Sequence, residues 1–215
     1  MEEITEIIGK CPLFVGISGE KLAALPEALG GRSVQMRKGQ VLLGEGDRPG
    51  SVGIVLAGSV YVVREDCLGS RSVLTRIPPA GVFGESYACA RVEALPVSVI
   101  AEEDGAVLLL DCGRMLAAGG PYACIPGNLL RLMARKNLEL SRKIRILSRR
   151  STREKLMAYL VSEAELRGSS AFRIPFDRQA LADFLEVDRS GLSAEISRLR
   201  REGVLRCEKN FFELL

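Results

Sequence analysis

The sequence predicts an α+β protein: an N-terminal antiparallel β-roll or jelly roll, a long central helix, and a C-terminal winged helix-turn-helix. Three observations lead there. Between Arg32 and Asp111, Val, Ile and Leu cluster in short runs bounded by glycine turns. Beyond Pro126 the apolar residues recur at steps of three and four instead. Charge divides with the pattern: residues 1–125 hold 11 Lys/Arg against 15 Asp/Glu, and residues 126–215 hold 19 against 12. The basic half is the half expected to meet a polyanion.

At 215 residues the chain exceeds the usual single domain, and 47% of it is hydrophobic, ample for packed cores. MEEITEII at the N-terminus is acidic and lacks the layout of a secretion signal, and the longest apolar run, Ser51 to Val63, is interrupted by Gly53 and Gly58. A cytoplasmic protein with no membrane partner is expected. Six cysteines (Cys11, Cys67, Cys89, Cys112, Cys124, Cys207) stand without any C-x-x-C pair, and histidine is absent, so no metal site is expected and the thiols read as reduced and mostly buried. An enzyme finds little support, because there is no histidine, no G-x-S-x-G and no phosphate-binding G-x-x-x-x-G-K-[ST] loop.

The elements follow in order. A short helix is expected over Gly19–Leu29. Strands then fill RSVQMRKGQVLLGEGD, SVGIVLAGSVYVVREDCLGSRSVLTRIPPAGVFGE and PVSVIAEEDGAVLLLD, with turns at Lys38-Gly39, Gly46-Asp47, Ala57-Gly58, Leu68-Gly69, Ala80-Gly81 and Asp104-Gly105. These make a first domain, residues 1–125. Over 126–150, Leu130, Met133, Asn137, Leu140, Ile144 and Leu147 repeat as the seam of a coiled coil, with Asn137 at a position where one amide sets register and strand number. A homodimer through this helix is the expectation.

Ser151-Thr152-Arg153-Glu154 has the form of a capping box, so a new helix starts there and runs to a stop at Gly168. It opens the third domain, 151–215. Asp177 can cap a helix from Arg178 to Leu185, Glu186-Val187 makes a tight turn, and Asp188 can cap the next helix. On that last helix Leu192, Ile196 and Leu199 share one side, while Ser190, Ala194, Ser197 and Arg201 lie opposite, flanked by Ser193 and Arg198. Small side chains keep the outer face slim enough to approach base edges in a major groove. Arg189, Ser190 and Ser193, beside Ala194, are the expected base-edge contacts; Arg178, Gln179, Ser197 and Arg198 are expected to hold the phosphate backbone. GVLRCEKNFFELL then reads as a small β-wing.

From about Cys11 to Leu215 the chain resembles the Crp/Fnr superfamily of bacterial transcription regulators. CPLFVGISGEKLAAL is similar to that family's opening helices, KGQVLLGEGDRPGSVGIVLAGSVYVV to its β-roll, GVFGES (81–86) to its cyclic-nucleotide phosphate cassette, and LADFLEVDRSGLSAEISRLRREGVL to its winged helix-turn-helix. The resemblance implies a homodimer, an effector pocket in the roll, and as partners a pseudo-palindromic double-stranded DNA operator and RNA polymerase. Gly84 and Glu85, next to Ser86, match the pair that meets the ribose in cyclic-AMP binders, but Leu95-Pro96 stands where those proteins carry Arg-Ser. Cyclic AMP is therefore not the expected effector, since a buried phosphate needs the arginine. Phe83, Tyr87, Leu95, Val97 and Met133, with Pro96 beside them, would line an apolar pocket for some other small molecule. The residues single out no cofactor besides that unknown small molecule. The alternative within the same fold is a thiol-based redox regulator acting through Cys89 or Cys112, whose spacing sets neither apart.

Overall fold

A computed structural model describes residues 2–65 and 71–215, so the turn expected at Leu68-Gly69 and Cys67 lie outside the described residues. The chain divides into two compact units, residues 1–135 and 136–215.

The first unit opens with helix α1 (Glu2–Lys10), a 3-10 turn at Pro12–Phe14 and α2 (Glu20–Ala28). Only the second of these helices was expected from the sequence. Strands β1 (Arg32–Met36), β2 (Val41–Leu43), β3 (Ser51–Ala57), β4 (Val60–Glu65), β5 (Arg71–Ile77) and β6 (Val82–Phe83) follow. Helix α3 (Glu85–Ala90), strands β7 (Ser98–Ala101) and β8 (Gly105–Asp111), and the short helix α4 (Cys112–Leu116) complete the roll. Two four-stranded sheets form, in the orders β1-β8-β3-β6 and β2-β7-β4-β5, with every pairing antiparallel. This is the expected β-roll.

Strand β3 explains its own apolar run, because both of its faces are covered. Val52, Ile54 and Leu56 join Leu108 and Leu110 of β8 in a cluster with Ile8, Phe14, Leu25 and Ile125. Val55 joins Val107 and Leu109 in a second cluster with Met36, Val60, Phe83 and Val99. Alternating side chains thus serve two cores, a helical one and the interior of the roll. Gly53 is required on the inner side: a Cβ there would sit 2.1 Å from Cζ of Phe83, whose residue pairs with Gly53 across β3 and β6.

A network on the second sheet holds β4, β5 and the end of β7 together. Glu102 accepts from the Ser59 hydroxyl at 2.5 Å, the Tyr61 hydroxyl at 2.5 Å and Arg76 Nε at 2.5 Å. These donors, the Ser59 hydroxyl foremost, hold its carboxyl down at about 2.

Helix α5 (Cys124–Leu147) begins in the first unit and ends in the second. The second unit continues with α6 (Thr152–Arg167), β9 (Ala171–Arg173), α7 (Arg178–Leu185), α8 (Arg189–Arg201), β10 (Leu205–Glu208) and β11 (Phe211–Leu214). The break between α5 and α6 falls at 148–151, where the expected capping box is formed: the Ser151 hydroxyl accepts from the Glu154 N–H while the Glu154 carboxylate accepts from the Ser151 N–H. Gly168 ends α6 in the left-handed conformation at φ 61°. The wing is a three-stranded sheet, β10-β11-β9, rather than the hairpin alone. The extra strand AFR is too short to show a period. Ile146, Leu156, Leu160, Leu181, Leu185, Leu192, Ile196, Leu199 and Phe212 pack as this unit's core.

Candidate nucleic-acid interface

The pair α7 and α8 is set by local chemistry at each end. The Asp177 carboxylate accepts from the Ala180 N–H at 2.8 Å and the Asp188 carboxylate from the Gly191 N–H at 2.8 Å, so both helices start on the residues expected to cap them. Between them Glu186 turns the chain at φ 53°, a left-handed conformation uncommon outside glycine. Lys155 of α6 donates to the carbonyls of Leu185 (3.1 Å) and Glu186 (3.4 Å), and this cation at a helix C-terminus pins the turn.

Leu192, Ile196 and Leu199 are buried, which leaves Ser190, Ala194, Ser197 and Arg201 exposed along the opposite side of α8. That is the slim face expected from the sequence. On its flank Arg153 of α6 clamps the helix through Glu195 (3.3 Å) and Glu202 (2.6 Å). Glu195 is thereby half-buried and neutralised, so the one acid inside α8 does not oppose an incoming phosphate.

The expected contact residues separate once their partners are known. Arg189 is exposed and, among the described residues, its guanidinium has no hydrogen-bond or ion-pair partner; the same holds for the guanidinium groups of Arg200 and Arg201. The Ser190 hydroxyl donates to Asp188, which with the Gly191 N–H holds that carboxyl below the usual range. Ser193 is half-buried, and its carbonyl takes the Ser197 hydroxyl at 3.0 Å. Gln179, exposed at the start of α7, donates to Asp183 at 2.8 Å. Arg198 pairs with Glu202 at 3.0 Å. Arg178 departs furthest from the expectation: it is half-buried, its Nη2 donates to the Lys209 carbonyl at 3.3 Å and contacts Cys207 Sγ at 3.6 Å, and its guanidinium lies 5.8 Å from the centre of the Phe212 ring. It is committed to tying α7 to the wing. Lys209, exposed at the wing's two-residue turn with φ 52°, is a further cation of this unit, at a turn that the spacing of the wing strands marks.

The residues expected to line an effector pocket are not gathered into one cluster. Phe83 is 1% exposed and fills the roll interior, whereas Met133 packs on the helical core on the other side of β3. Leu95 and Val97 are buried, Tyr87 is half-buried and Pro96 is exposed. Gly84, at φ 77°, precedes α3, whose first residue Glu85 is buried, and the Ser86 hydroxyl lies 3.3 Å from the Glu85 carboxylate. A groove of about 420 Å³ lies elsewhere, within the second unit, lined by Arg145, Arg149, Met157 and Val161 among others.

The expected seam on α5 is largely uncovered. Leu130, Leu140 and Ile144 are 69%, 56% and 58% exposed, and Asn137 is exposed between them. Met133 and Leu147 are half-buried, Met133 because part of its surface is taken by its own unit's core. Leu138, at 70% exposed, stands on the flank of this stripe and was not singled out from the repeat. Among the described residues no cluster of His, Cys, Asp and Glu could hold a metal ion, and no helix is long and apolar enough to cross a membrane.

Comparison with known proteins places both units. Residues 33–118 match the family model for a cyclic nucleotide-binding domain, and residues 154–215 match that for a Crp-like helix-turn-helix domain. The chain is 26% identical to the transcriptional activator protein FnrL of Cereibacter sphaeroides, over 93% of this chain and 84% of the relative. It is 25% identical to the transcriptional activator protein Anr of Pseudomonas aeruginosa, over 82% of this chain and 74% of that one. Among solved structures, the catabolite activator protein of Thermus thermophilus has the same fold, with a TM-score of 0.51 and 24% identity over 95% of this chain and 93% of the other.

Proposed function

Because the chain belongs to the Crp/Fnr superfamily of transcription regulators, and is not an enzyme, we propose that it works as a cytoplasmic homodimer that reads a pseudo-palindromic operator under the control of a small effector other than cyclic AMP. The observation that carries this reading is the outer face of α8. It offers serine, alanine and unpaired arginine side chains, its one internal acid is neutralised by Arg153, and its apolar side is buried. Arg189 at the helix start is the side chain free to reach guanine O6 and N7, with Ser190, Ser193 and Ala194 against neighbouring bases. Gln179, Ser197 and Arg198 hold phosphates, and Arg178 supports the wing that does so.

The uncovered stripe of Leu130, Asn137, Leu140 and Ile144 supports the dimer, because large aliphatic side chains left in water are stabilised by a second copy. Two recognition helices then meet successive major-groove faces, about 34 Å apart. The replacement of Arg-Ser by Leu95-Pro96 supports an effector that lacks the cyclic phosphate: Leu95 is buried and uncharged, and Pro96 has no N–H to offer. RNA polymerase is the further partner this reading entails.

Selection of bound fragments from random double-stranded DNA, with and without small-molecule cell extract, tests the proposal. The expected product is a two-fold symmetric site with half-sites one helical turn apart and an enrichment that changes with extract. Failure to enrich any sequence at low salt would overturn it.

A further inference from the structure

We propose that Cys89 and Cys112 form a reversible intramolecular disulfide, a modification site in the first unit that exchanges with low-molecular-weight disulfides. This goes beyond the regulatory reading and does not depend on it.

The two thiols are 23 residues apart in sequence, yet their sulfurs lie 3.6 Å from one another, in direct contact. A disulfide needs about 2.05 Å, so a closure of about 1.5 Å separates the free pair from the bonded one. The elements that carry them can supply it. Cys89 sits in α3, a six-residue helix ended by Arg91 in the left-handed conformation, and Cys112 is the first residue of α4, just after the last residue of β8. Cys11 is fully buried, and Cys124 and Cys207 have no thiol beside them among the described residues. The contact therefore singles out one pair, which the scattered spacing of the cysteines concealed.

Access orders the chemistry. Cys89 is half-buried, whereas Cys112 is 4% exposed and its thiol is pushed up to about 12 by burial and by the hydrogen bond and charge of Cys89. Cys89 is thus the thiol that meets the reagent. It loses its proton to solvent and attacks one sulfur of a small disulfide such as glutathione disulfide, which gives a mixed disulfide and expels a thiolate that takes up a proton. Cys112 then gives up its proton and attacks the Cys89 sulfur, closing the protein S–S bond and releasing the second small thiol. Two protein thiols are oxidised, one small disulfide is reduced to two thiols, and excess thiol reverses both steps.

The bond closes a loop that contains Leu95, Pro96 and Val97 and ties down the helix that begins at Glu85. It fixes the segment matched to the nucleotide cassette onto the end of β8, and the closed loop raises the Tm of this unit by about 10 °C.

The test uses the full-length reduced protein, equilibrated with graded ratios of glutathione disulfide to glutathione, quenched in acid, alkylated in denaturant and digested with trypsin. Peptides Ile77–Arg91 and Val92–Arg114 are expected to appear joined, two hydrogen atoms lighter than their sum, and to separate again at high glutathione. Cys112→Ala should instead leave Cys89 as a stable glutathione adduct. Cys89→Ser, a milder change at a half-buried site, should leave Cys112 unreacted. A wild-type protein in which Cys89 remains a glutathione adduct with Cys112 free at every ratio, or in which other cysteines oxidise while this pair does not, would overturn the proposal.

Discussion

In the second unit α6, α7 and α8 announce their own beginnings, whereas in the first most elements are held by residues far away in sequence, the exceptions being α4, which Asp111 caps, and the pairing of β4 with β5. Ser151, Asp177 and Asp188 each accept the backbone N–H three residues on, so α6, α7 and α8 are specified within one turn. In the first unit α2 follows Gly19 and α3 follows Gly84, neither with a side-chain cap, and the strands find partners far off: Arg32 faces Leu109 and Ser51 faces Asp111. The lesson is that the two units fail in different ways. The reading unit is weakened in small local steps, and the roll by any change that obstructs a distant pairing.

The largest effect expected on this contrast is from Gly105→Val. A Cβ at Gly105 would lie 2.1 Å from the Ala57 carbonyl oxygen, backbone that cannot swing aside, so the roll should lose about 3 kcal/mol or more. Hydrogen exchange should show β3 and β8 deprotected while α6–α8 keep their protection; equal loss in both units would show that they are not independent. Next is Arg189→Ala. Binding to the selected operator should fall by about 1–3 kcal/mol, with relaxed preference at one base pair and an unchanged melting curve. An unaltered profile across operator variants would remove Arg189 from base contact.

Smaller still is Ser151→Ala, which takes away one half of the capping box and should destabilise the second unit by about 1 kcal/mol in denaturant titration, leaving the roll untouched. The smallest concerns Glu102. Its carboxyl is held at about 2, below the ordinary 4.5, so what its network contributes is present above the ordinary value and fades only as pH falls toward 2. Carboxyl chemical shifts should show Glu102 still ionised at pH 3.5, and Arg76→Met should move its midpoint upward.

This same contrast governed what could be read from the sequence. The caps, the stop at Gly168 and the buried stripe Leu192–Ile196–Leu199 were legible because each is a relation among residues a turn or two apart. The roll was legible as a class, from its glycine-bounded runs, but its sheet order was not, since nothing local to β1 names β8 as its neighbour. Site residues divide likewise. The outer face of α8 follows from helical geometry alone, but Arg178 turning to the wing, Phe83 filling the interior and Met133 packing on the opposite side of β3 depend on tertiary neighbours.

One consequence of β3's two covered faces remains. A strand with one wet side is kept from sliding along its neighbours by polarity, because a slip of one residue would drown its greasy side chains. That penalty vanishes when both sides are dry. Alignment must then come from shape: the bare backbone at Gly53 is a notch cut for the ring of Phe83, and Gly105 is a second notch under Ala57. These two gaps work as a lock and its tooth, and filling either would let the sheet settle one step out of place.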